Sequence, residues 1–269
     1  MSSDVRDRFR ELHAAGLFLM PNPWDVGSAR LLAAMGFPAL ATTSSGHAAT
    51  LGRDDQQVNR DELLAHAAAL ATAVDVPVNV DAERCFADDP SGVAGTVRQI
   101  AETGAAGCSI EDYDPATGRI DDVTVATERV AAAATAAHAG GLVLTARAEQ
   151  HLYGDPDLDD TIARLCAYRD AGADVVYAPG LTTLDDIARV VTATGVAVNV
   201  LAGPAVPPVG DLASVGVRRV STGGALCRAA YAAAMDGAAE LLAAGTSTYA
   251  AGDAGARIAA AFAAARSPA

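Results

Sequence analysis

VNVDAER, running from Val78 to Arg84, is the stretch on which the fold turns. A short β-branched run stops at two acids, Asp81 and Glu83, spaced i and i+2. In extended backbone such residues point the same way. Two carboxylates held side by side repel unless a cation sits between them or one keeps its proton. The pattern recurs along the chain. GCSI, from Gly107, ends at Glu111 and Asp112, and LVLTA, from Leu142, ends at Arg147. These strand ends are expected to meet around one divalent metal.

Eight such runs are predicted as strands: Leu17–Met20, Ala39–Thr43, Val76–Val80, Gly107–Ile110, Leu142–Ala146, Val175–Ala178, Ala197–Leu201 and Arg219–Ser221. Ala/Leu-rich segments with helical character lie between them, at Asp25–Met35, Arg60–Val74, Ser91–Thr103, Val123–Ala139, Leu158–Asp170, Thr183–Thr194, Val209–Val215 and Gly224–Ala243. Gly36, Gly104, Gly141, Gly172, Gly195 and Gly216 fall where a helix would end in a left-handed residue. Eight strands alternating with eight helices predict a single-domain (β/α)8 TIM-type barrel over residues 1–269. A doubly wound sheet is disfavoured, because no GxGxxG or Walker pattern follows the first strand. The tail from about residue 246 holds one more Ala-rich helix, near Gly252–Ala265. A closed barrel gives it little to bury against, so it is expected to pack on a neighbouring subunit.

The bulk properties exclude several partners. Of 269 residues 51% are hydrophobic, enough for a large core, yet no stretch makes a good spanning helix. The N-terminus is charged and reads as an amphipathic helix rather than a signal peptide. A net charge of −14 argues against nucleic acid and anionic membranes. Cys85, Cys108, Cys166 and Cys227 form no CxxC pair, which suits reduced thiols in a cytoplasmic protein.

In a barrel the reactive residues collect at the C-terminal ends of the strands. Asp81, Glu83 and Glu111 each follow a buried run, and three carboxylates there suit a hard cation such as Mg²⁺. Asp112 and Glu149 read instead as helix caps or solvated loop acids. Arg147 ends an apolar strand, where it could bind a substrate carboxylate or phosphonate bidentately or pair with Glu111 or Glu149. Ser44-Ser45-Gly46 reads as a small polar turn for a carboxylate or developing oxyanion. Asp55 could reach the metal's water shell. His47 reads as a loop residue and Trp24 as packing at the barrel mouth. The segment Asp114 to Arg119 is turn-rich and placed like a lid.

PNPWDVGSARLLAAMGF, TTSSGHAATLGRDD, VNVDAER, GAAGCSIED, LTARAE and GVRRVST together resemble the isocitrate lyase/phosphoenolpyruvate mutase superfamily in its short bacterial form. The likeness runs from about Leu17 to Thr246. It implies a barrel binding Mg²⁺ or Mn²⁺, and a dimer of dimers exchanging its C-terminal helix. Asp81, Glu83 and Glu111 fall on the family's metal-site acids, and Asp55 on the acid of the loop after the second strand. Ser44, Ser45 and Gly46 fall on the turn that holds a substrate oxygen, and Arg147 on the substrate-binding arginine. Trp24 and Asp25 occupy positions beside the substrate. Arg147, Asp55 and Ser45 are the residues expected to act in catalysis.

Two features depart from the family. The KKCGH-type loop of the isocitrate and methylisocitrate lyases is replaced by DYDPATGRIDD, which has no cysteine, and VVYAPG lacks the lyase acid after the sixth strand. The expected activity is a Mg²⁺-dependent lyase on a small 2-oxo or 2-hydroxy acid. It would cleave a C–C bond through a metal-bound pyruvate-type enolate, as an oxaloacetate decarboxylase or methylisocitrate lyase does. A P–C bond mutase or hydrolase and a catalytically silent carboxylate-binding protein are the alternatives.

Overall fold

The structure is a computed structural model and describes residues 2–264. Eight parallel strands, β1 (Phe18–Met20), β2 (Leu40–Ala41), β3 (Val78–Asp81), β4 (Gly107–Glu111), β7 (Val143–Arg147), β8 (Val175–Tyr177), β9 (Ala197–Leu201) and β10 (Arg219–Ser221), form one sheet. A two-stranded antiparallel hairpin, β5 (Tyr113–Asp114) with β6 (Arg119–Ile120), interrupts the series after β4. The sheet order is β1-β10-β9-β8-β7-β4-β3-β2, so each barrel strand lies beside its neighbours in sequence and β10 returns to β1. The seam between β1 and β2 has no ladder. Ala41 N–H donates to Pro21 O at 3.1 Å across it, and the Asn22 amide donates to Thr42 O at 2.7 Å. The result is a nearly closed (β/α)8 barrel.

The alternation within each strand sorts its side chains. Val80, Cys108, Leu144, Val176, Val198 and Val220 point outward and pack with Val97, Ile100, Val130, Leu165, Ile187 and Val190 of the surrounding helices. Inward positions carry the polar residues. All six glycines expected to end helices have positive φ, from 65° at Gly195 to 106° at Gly172.

The N-terminal helix Ser2–Ala14 seals the N-terminal ends of the strands. Its Phe9 is fully buried against Phe18, Met20, Ala106, Val143 and Val175. Arg6 donates to the carbonyls of Ala101, Ala105 and Gly140, which precede β4 and β7. The extra C-terminal helix, Ala254–Ala264, is present and lies on the helix Val26–Ala34 of its own chain, with Phe262 against Gly27. No helix among the described residues is long and apolar enough to cross a membrane.

Candidate active site

The cavity opens at the C-terminal ends of the strands and has a volume of about 310 Å³. Arg147, the last residue of β7, dominates one wall. Its Nη1 lies 2.7 Å from Asp81 Oδ1 and 3.2 Å from Glu111 Oε2, and its Nε lies 2.7 Å from Glu149 Oε1. Its guanidinium also sits 5.4 Å from the centre of the Tyr177 ring. Strand register explains the grouping, since Glu111 pairs with Arg147 and Asp81 with Ser109 across adjacent strands. Asp81 accepts further hydrogen bonds from Ser44 N–H at 3.1 Å and the Ser109 hydroxyl at 3.3 Å. Glu111 accepts from the Gln56 amide at 2.9 Å.

Of the residues marked in the sequence, Ser44, Ser45, Asp55, Asp81 and Arg147 line the cavity. Glu83 and Glu111 are buried behind that wall and do not line it. Ser44, Ser45 and Gly46 do not form a free turn. They are the first turn of a helix, Ser44–Thr50, whose N-cap is Thr43. Gly46 sits so close to Thr43 and Trp24 that an added Cβ would lie 2.5 Å and 3.0 Å from them. Gly46→Ala is therefore expected to destabilise the fold by about 1–3 kcal/mol and to raise KM, as thermal melts and steady-state kinetics would register.

Trp24 and Asp25 do not line the cavity. Asp25 is exposed and caps Val26–Ala34 in a reciprocal pairing with Ser28. Glu149 stands at the N-cap position of the helix Gln150–Tyr153, without a side-chain capping bond, but neither it nor Asp112 is a solvated loop acid, because both are buried. Asp112 accepts from the Tyr168 hydroxyl at 2.6 Å and Glu149 N–H at 2.8 Å. His47 lies in the helix Ser44–Thr50 and stacks on His66, with ring centres 3.8 Å apart.

Several lining residues were not marked in the sequence, among them Asn79, Ser109, Tyr153, Tyr177, Arg219 and Arg228. A period of two would have found some of them. Asn79, Ser109 and Thr145 precede Asp81, Glu111 and Arg147 by two positions and so face the same interior. Arg219 opens β10 and is fully enclosed. It donates to Asn199 Oδ1 and Thr145 Oγ1, both at 2.9 Å, and burial pulls its pKa down to about 9.

The electrostatics have one dominant feature, an excess of acid. Asp55, Asp81, Glu83, Glu111 and Glu149 crowd the single guanidinium of Arg147. Burial opposes the Arg147 charge, but Glu149, Glu111 and Asp81 outweigh it and hold the group well above its ordinary value. Burial, and then Asp81 and Asp55, push Glu83 up to about 8. Burial also raises Glu111 and Asp55. Glu83 Oε1 is buried without a hydrogen-bond partner among the described residues.

An orphaned carboxylate oxygen beside other acids fits a divalent cation in charge and in donor type. No three His, Cys, Asp or Glu side chains among the described residues converge as a compact ligand group. The fit is thus to a cation that keeps several waters and takes few protein oxygens directly. The sign of the pH effect follows from Glu83. Its folded pKa lies above the ordinary 4.5, so its stabilisation is whole below that value and is lost as pH rises through about 8. In EDTA the melting temperature should fall by on the order of 5 °C between about pH 6 and pH 9, and Mg²⁺ should flatten the fall. A flat profile in EDTA would show that Glu83 is not strained in this way.

Residues 9–242 match the phosphoenolpyruvate phosphomutase family. The chain belongs to that family. A solved structure from Burkholderia cenocepacia J2315, provisionally described as a lyase/mutase, is 49% identical. The alignment covers 97% of this chain and 96% of that one, with a TM-score of 0.93. The structure of 2,3-dimethylmalate lyase, a PEP mutase/isocitrate lyase superfamily member, is 25% identical, with a TM-score of 0.82 over 96% of this chain and 94% of that one. An oxaloacetate decarboxylase of Bradyrhizobium sp. (strain ORS 278) is 29% identical over 205 residues, 73% of this chain and 69% of its own length.

Proposed function

We propose that this protein is a Mg²⁺-dependent lyase, with Mn²⁺ as a substitute, that cleaves a C–C bond of a small 2-oxo or 2-hydroxy carboxylic acid. The observation that carries the reading is Arg147, fixed by three carboxylates on the wall of a cavity of about 310 Å³. That volume suits a small acid rather than a polymer. The guanidinium binds the substrate carboxylate, and the Ser45 hydroxyl faces the same space. Asp81, Glu83 and Glu111, with Asp55 at the mouth, are the residues that would hold the cation. When bound, the cation draws electron density from the 2-oxo acid and stabilises enolate charge. The likeness to an oxaloacetate decarboxylase and to a dimethylmalate lyase supports carbon–carbon cleavage.

A second reading, P–C bond chemistry, is favoured by one observation. Arg219 and Arg228 also line the cavity, and neither forms an ion pair among the described residues. Positive charge without a carboxylate suits a phosphonate dianion.

We infer further that the protein is a homo-oligomer. The helix Ala225–Ala244 leaves Met235, Leu241 and Leu242 between 50% and 90% exposed, a face suited to a second copy. Exchange of the C-terminal helix would extend that contact. The four free thiols support a reducing, cytoplasmic setting.

A ¹H and ³¹P NMR time course tests these readings, run with Mg²⁺ and with EDTA. The mixture would hold oxaloacetate, substituted malates, methylisocitrate and phosphonopyruvate. Metal-dependent loss of a carbon acid is expected, with an oxo acid appearing. Change in the phosphorus signals alone would move the protein to phosphonates. No change in any compound, with oxalate still bound, would mark a binding protein.

A further inference from the structure

A pyruvate-type enolate must take a proton at C3 before it leaves as an oxo acid. The loop after Glu111 and Asp112 has no cysteine to supply it. The serine and threonine hydroxyls of the cavity wall are engaged with one another or with Asp81, Asp55, Asn22 and Asn199. Tyr177 is buried and shares a hydrogen bond with Ser221. The hydroxyl of Tyr153 stands apart. Tyr153 lines the cavity, and this hydroxyl has no hydrogen-bond partner among the described residues.

Its ring is held from two directions. Tyr153 ends the single-turn helix Gln150–Tyr153, and its N–H donates to Glu149 O at 3.0 Å. Its ring stacks on Tyr113 of the hairpin, with centres 4.1 Å apart and planes at 18°. Tyr113 follows Asp112, which itself accepts from Glu149 N–H at 2.8 Å. Both rings are therefore anchored on Glu149, the partner of Arg147. Gly154 closes the arrangement, since a Cβ there would lie 3.1 Å from Ile120 of the hairpin.

We propose that Tyr153 is the proton donor of this site and that Tyr113 is the residue that positions it. The assignment rests on the lyase reading above. As the C–C bond breaks, its electron pair passes into the enolate. The Tyr153 O–H bond then breaks, a C3–H bond forms, and the phenolate left behind takes a proton from water. Tyr153 is 42% exposed, so water reaches it. Burial, and then Asp55, Glu111 and Glu149, push the phenol up to about 12, so it carries its proton at neutral pH.

The test reads stereochemistry as well as rate. 3-Methyloxaloacetate is decarboxylated in D₂O with Mg²⁺, and the configuration of the deuterium at C3 of the 2-oxobutanoate is determined. Wild type should give one configuration. Tyr153→Phe should give nearly equal amounts of both, with C–C cleavage slowed by less than about tenfold and oxalate affinity within about threefold of wild type. Tyr113→Leu should also scramble the product, whereas Tyr113→Phe, which keeps the stack, should not. A single configuration from Tyr153→Phe overturns the assignment while leaving the lyase reading intact. No turnover by wild type of this acid or of any carbon acid in the NMR mixture overturns the lyase reading, and the assignment with it.

Discussion

Arg147→Ala is expected to abolish turnover and to weaken the fold more at high pH than at low. The variant removes the only cation that, among the described residues, pairs with Asp81, Glu111 and Glu149, which lie 2.7–3.2 Å from it. Breaking a buried ion pair by deleting one partner costs about 3–5 kcal/mol, because the other charge is left uncompensated. Proteins of this kind have about 5–15 kcal/mol in reserve, so the variant should fold but melt early. The freed carboxylates respond by holding protons. The folded pKa values of Glu111 and Glu149, already raised by burial, rise further above the unfolded ones, so the missing stability is largest above those folded values and shrinks as pH falls. Turnover should drop by at least about 10³-fold, the scale of losing a preorganised charge at a reacting group. Melts across a pH series, beside activity at one pH, separate the two effects. An active variant, or a pH-independent loss of stability, would displace Arg147 from the centre of the site.

Asp81→Asn should be nearly as severe for activity and far gentler on the fold. The amide keeps the size of Asp81, its one oxygen can still accept from Ser44 N–H, and its NH2 can donate to the Ser109 hydroxyl oxygen. It gives up the charge that pairs with Arg147 and that a divalent cation would need. A fall in kcat/KM of about 10³-fold or more is expected. Mn²⁺ affinity, measured by titration calorimetry on the same protein, should weaken by at least about tenfold. The melting temperature in EDTA should hold or rise, since one of several crowded negative charges is gone. Wild-type Mn²⁺ affinity in this variant would move the cation elsewhere in the barrel.

Much of this was legible in the chain, for local reasons. Valine-rich runs and glycine helix ends are set by neighbours in sequence, so strands such as Ala197–Leu201 and helices such as Val123–Ala139 appear with their predicted bounds. Residues at strand ends were also legible, because register sets Glu111 beside Arg147 and leaves Asp81 two residues lower, opposite Ser109. What escaped depends on contacts between distant segments. Asp112 and Glu149 look like ordinary loop acids until Tyr168 and Arg147 arrive to bury them. Ser44 to Gly46 look like a turn because Ser and Gly favour turns, and the Thr43 cap makes them a helix. Arg219 and Tyr153 carry no local mark at all. One is defined by the closing of the barrel and the other by a hairpin thirty-odd residues upstream.

The return of β10 to β1 bears on how the chain acquires its shape. Met20 is paired with Ser221, and Asn22 with Thr222 across 200 positions of sequence. At about 5–20 residues per second, a ribosome delivers that partner roughly 10–40 s after Asn22. Strands β2 to β9 can assemble in the meantime, each on the one before it. β1 must wait, shielded or not, for the last strand to give it a ladder partner. The youngest part of the barrel is thus the edge that its oldest part needs, and chaperone demand should concentrate on that interval.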